Sequence, residues 1–132
     1  MDDDETLVAA FEDATLPPSA FGHEEHLRAA WWILRHTPGP AGLSRFADAL
    51  RRYVARHGAE DKYHDTITWA YLLLLRERID DGGADAWPAF RAAHADLLAP
   101  GCLHRWYRPE TLASDRARRG FVGQRHQHHP VE

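Results

Sequence analysis

The chain has little of what most functional signatures require. With one cysteine, Cys102, in 132 residues it cannot close an internal disulfide. Its longest apolar run, WAYLLLL at Trp69 to Leu75, is far short of the roughly 20 residues that span a bilayer. There is no excess of positive charge: 16 basic side chains face 20 acidic ones, net −4, so neither nucleic acid nor an anionic membrane finds its electrostatic footprint here. The acidic start MDDDETLVAAF is the reverse of a basic and then apolar signal peptide, and the expected location is cytoplasmic. No glycine-rich phosphate loop is present, hence no nucleotide or flavin signature. Lysine is almost missing as well: Lys62 stands against fifteen arginines, a bias that with the abundant alanine reads as codon usage of a GC-rich genome.

What is there is helical periodicity. Leu7, Val8 and Phe11 share a face that ends before the Pro17-Pro18 pair. A second helix runs from Ser19 or Phe21 to His36, with Leu27, Ala30, Trp31 and Leu34 on one side. The third covers Ala41 to His57 and is closed by Gly58. A fourth, from Asp61 to the Asp80-Asp81-Gly82-Gly83 stop, is expected to be the central buried one. A fifth carries Trp87, Phe90, His94 and Leu97, with Pro88 in its first turn, and Ser114 caps a final short turn. The expectation is an all-α, single-domain bundle of four to six helices with short loops over residues 1–123, followed by a disordered His-rich tail at 124–132. A chain of this length buries roughly two-thirds of its unfolded surface.

Ten histidines are the feature that asks for chemistry, because neutral imidazole is the commonest metal ligand and titrates near neutral pH. The string His23-Glu24-Glu25-His26 is one residue short of the H-E-x-x-H zinc motif. Its histidines still lie on one helix face, while Glu24 and Glu25 suit the positive end of the helix dipole. In KYHDTIT, a helical His64 shares its stripe with Thr68, Tyr71 and Leu75, a mixture costly to bury unless the polar groups meet each other or a ligand. Thr66 and Thr68 can also back-bond to carbonyls one turn earlier. Lys62 reads as a solvated partner of Glu60 and Asp61, and Tyr63 and Tyr71 as core. His36 and His57 fall at helix C-termini and read as structural, whereas His126, His128 and His129 form a tail able to take up metal adventitiously.

The strings FEDATLPPSAFGHEEHLRAAW, KYHDTITWAYL and WYRPETLAS resemble a family of short bacterial hypothetical proteins whose pattern runs F-E-x-x-T-L-P, W-T-H-x-x-H-L and G-Y-H-E-T-I-T, over about two-thirds of the chain. The resemblance singles out Glu12, Thr15, His23, His26, His64, Thr66 and Thr68. The chain departs from that pattern with Phe21 for tryptophan, Gly22 for threonine, Lys62 for glycine and Asp65 for glutamate, and the loss of the threonine removes a cap or partner for His23.

A short turn after Glu12 would fold the second helix back on the first, giving one carboxylate and three imidazoles. The expected metal ligands are therefore His23, His26, His64 and Glu12, a set suited to iron, copper, zinc or manganese. The expected catalytic residues are Glu12, His23, His64 and Thr68. The first expectation is a small metal-dependent enzyme performing a tailoring or oxidative reaction on a small organic substrate. The same residues support a cofactor-independent acid–base enzyme as an alternative. A non-catalytic metal- or ligand-binding module, or a helical interaction protein, is the third class. Trp31 and Trp32 leave room for a homodimer.

Overall fold

The computed structural model describes residues 3–82 and 84–123, and among these it is mostly helical and without a strand. Seven α-helices follow in order: α1 (Asp3–Glu12), α2 (His23–His36), α3 (Pro40–Arg56), α4 (Asp65–Asp80), α5 (Trp87–Ala93), α6 (Pro109–Leu112) and α7 (Asp115–Arg119). The count exceeds the expected four to six because α6 and α7 are single turns, too short for a periodic pattern to announce. The expected tail at 124–132 lies outside the described residues. No described helix is long and apolar enough to cross a membrane.

The helix ends follow local chemistry. Gly22 precedes α2 and brings no side-chain cap, but Glu25 reaches back to accept its N–H at 2.9 Å, which completes half of a capping box. Pro40 opens α3 after Gly39, whose φ of 71° lies in the left-handed region. At Gly42 a Cβ would sit 2.1 Å from the Thr37 carbonyl oxygen, so the chain passes closer there than any side chain permits. Ser114 caps α7 as expected, accepting from the Ala117 N–H at 3.1 Å. The fourth helix differs: Glu60–Lys62 form a 3₁₀ turn, Tyr63 is extended, and α4 begins only at Asp65.

The core is centred on α2, which packs on α1, α3 and α4. Leu27, Ala29, Ala30, Trp31, Ile33 and Leu34 are all buried, so α2 takes the central place expected of the fourth helix, where Leu73 stays 46% exposed. Phe11 from α1, Phe46 and Leu50 from α3, Leu72 and Leu75 from α4 and Phe90 from α5 close around it. Trp31 is inside this cluster, and Trp32 packs on its edge with His36 stacked at 3.9 Å. The pair therefore offers no exposed face of two indoles for a dimer.

The end of the described chain is latched to α4. Thr66, fully buried, donates to the Gly120 carbonyl at 3.0 Å and accepts from the Val122 N–H at 2.9 Å. The Tyr107 hydroxyl donates to the Val122 carbonyl at 2.6 Å. Thr66 thus spends its hydroxyl on a segment far along the chain and not on a carbonyl one turn earlier.

Candidate functional site

A cavity of about 540 Å³ opens where α2, α3 and the approach to α4 meet. That is within the range of small-molecule sites, roughly 300–1,000 Å³. Its floor is apolar: Leu27 of α2, Phe46 and Leu50 of α3, and Leu72 and Leu75 of α4. Its polar wall carries His23, His26, His57 and His64, with Tyr53, Tyr63, Tyr71, Thr68 and Lys62. Three of the four expected site histidines and carboxylates, together with Thr68, therefore share one cavity.

Each imidazole is held differently. His23, exposed at the first turn of α2, donates from Nε2 to the Leu97 carbonyl at 3.0 Å and meets the Tyr71 ring edge-on at 5.1 Å. Because a carbonyl only accepts, Nε2 carries the proton, and among the described residues Nδ1 has no partner. One turn on, the half-buried His26 ring stacks on Phe21 at 3.9 Å. Burial, and secondarily the neighbouring His23, hold the His26 pKa down at about 4, so the ring is neutral at pH 7. Among the described residues neither His26 nitrogen has a hydrogen-bond partner.

His64 is fully engaged. Its Nδ1 accepts the Ile67 N–H at 3.1 Å, making it the N-cap of α4, and its Nε2 donates to the Leu112 carbonyl at 2.6 Å. The expected position inside the helix, stacked under Thr68, is replaced by this cap. His57 ends α3 as expected, yet it also lines the cavity, with Nε2 donating to the Ala14 carbonyl at 3.0 Å. Ala14 holds a positive φ of 64°, a strained conformation for a residue with a Cβ, and that turn aims its carbonyl at the ring.

Two phenols expected to be plain core residues belong to the wall. Tyr63 donates to Asp65 Oδ1 at 2.8 Å, and Arg51 grips the same carboxylate at 3.0 Å while its guanidinium lies 5.3 Å from the Tyr63 ring centre. Burial first, then Asp65, pushes the Tyr63 hydroxyl up to about 12. Burial likewise pushes Tyr71 up to about 12. Both stay protonated donors at any physiological pH.

Glu12 is the expected site residue that goes elsewhere. Arg45 of α3 clamps both of its oxygens, Nε to Oε2 at 2.6 Å and Nη2 to Oε1 at 2.8 Å, and reaches on to Thr37 Oγ1 at 2.8 Å. Glu12 is not among the cavity-lining residues. Thr15 turns onto Asp13 at 2.5 Å and shapes the loop after α1. Among the described residues no group of three or more His, Cys, Asp or Glu side chains gathers where one ion could be held. The four expected ligands do not form a set as placed: both oxygens of Glu12 and both nitrogens of His64 are already committed, leaving His23 Nδ1 and the His26 nitrogens free.

No protein-family model, curated protein or solved structure matches the chain.

Proposed function

We propose that the helices form a single-domain bundle whose cavity binds a small organic molecule in the cytoplasm, and that the protein is a cofactor-independent acid–base enzyme acting on it. The observation that carries this reading is the pair of unlike imidazoles on one wall. His23 has a bare Nδ1 and a second nitrogen fixed by Leu97, the arrangement of a general base oriented by a third group. His26 is kept neutral beside it and can hydrogen-bond a substrate oxygen without adding charge. The Tyr71 hydroxyl is a further donor, and Thr68 and His64 shape the wall next to it.

Proton abstraction leaves a signature that needs no product assay: exchange of substrate hydrogens with solvent. Small carbonyl compounds incubated with the protein in D₂O and followed by NMR should include one whose exchange is accelerated. His23→Asn should abolish that acceleration while circular dichroism stays unchanged and stability falls by no more than about 1 kcal/mol, the bond to Leu97. Saturable binding without exchange by any bound compound would overturn catalysis and favour the ligand-binding module.

The metal-dependent reading takes His23, His26, His64 and Glu12 as ligands, and it requires Glu12 to leave Arg45 and His64 to give up its bond to Ile67 or to Leu112. Metal analysis of unsupplemented full-length protein carrying His126→Ala, His128→Ala and His129→Ala decides it. Roughly stoichiometric iron, copper, zinc or manganese that disappears in His26→Ala supports a metal centre, and its absence removes that reading.

A further inference from the structure

The charge of the cavity wall is opposite in character to that of the molecule. The chain carries 20 acidic side chains, yet among the described residues no aspartate or glutamate lines the cavity. No described arginine lines it either, so among the described residues the one formally cationic side chain in the wall is Lys62, the only lysine in the sequence. Its sequence neighbours Glu60 and Asp61 were the expected partners, but among the described residues no carboxylate pairs with the Lys62 ammonium. Lys62 is exposed while lining the cavity, which places it at the rim above the apolar floor.

We propose that the ligand is an anionic amphiphile: an aromatic or branched aliphatic body resting on Phe46, Leu50 and Leu72, with a single carboxylate meeting the Lys62 ammonium. The inference rests on the small-molecule reading above and names its substrate class. A cationic ligand would enter a wall to which no described residue brings a carboxylate, and its charge would stay unpaired there. A polyphosphate would ask for arginine forks or a cradle of backbone amides, and a lone ammonium is a point charge that suits a monoanion. The neutral His26 and the protonated Tyr71 supply hydrogen-bond donors without adding a second charge.

Three probes with one shared body separate the contributions: 1-naphthoate, 1-naphthylmethanol and 1-naphthylmethylamine, titrated calorimetrically into the full-length protein at neutral pH. Naphthoate should bind about tenfold tighter than the alcohol, and the amine weakest. Lys62→Gln should erase the advantage of naphthoate and leave the alcohol unchanged, while Lys62→Arg retains it. Leu50→Trp, which fills the floor, should weaken all three. Equal affinities for the three probes, or a Lys62→Gln protein that still prefers naphthoate, overturns the charge assignment and leaves the cavity as a small-molecule site. Failure of all three to bind overturns both.

Discussion

His26 shows how a residue's neighbours set its chemistry. Its folded pKa of about 4 lies below the ordinary 6.5, so the folded state favours the neutral ring. Stability from this group is complete above about pH 6.5 and is lost as pH falls through about 4, by roughly 3 kcal/mol in all. Urea denaturation at pH 7 and pH 4.5 should show wild type weakening more than His26→Phe, which keeps the stack on Phe21 but cannot titrate; an equal loss in both would remove the assignment. His64 makes a different contribution. His64→Ala removes the α4 cap and the link to Leu112 and should cost about 2 kcal/mol, whereas His64→Asn restores the cap alone and should cost about half as much in thermal melts.

Among elements, the Glu12–Arg45 clamp holds the end of α1 to α3. Both side chains are partly exposed, which moderates the pair: Glu12→Gln should cost about 1 kcal/mol and leave naphthoate affinity untouched. Loss of binding with unchanged stability would instead return Glu12 to the site. The helix boundaries legible in the sequence were those written locally, in Pro88, Gly58 and the Ser114 cap. The start of α4 was not, because the imidazole that caps it is fixed by a carbonyl 48 positions away, at Leu112. The role of Glu12 escaped for the same reason: nothing near it in sequence announces Arg45, 33 positions on.

At the scale of the molecule, the sequence singled out His23, His26, His64 and Thr68, which line one cavity, but it placed His64 on a helix face beside Thr68, whereas His64 stands before the helix as its cap. His57, Tyr63, Tyr71 and Lys62 were not singled out, since a helix-end histidine, a core phenol and a lysine between acids each have a sufficient local explanation. Only the packing of α2, α3 and α4 brings them together. The Thr66 latch extends this dependence in time. When residues 120–122 swing open, Thr66 and the Val122 amide lose partners together, so the two bonds should open as one unit, and Thr66 stands between His64 and Ile67, which both line the cavity. The Val122 amide should then exchange with deuterated solvent slowly, faster in Thr66→Val, and more slowly still once the cavity is filled. The rate at one amide near the chain's end would thus report occupancy of a cavity it does not line.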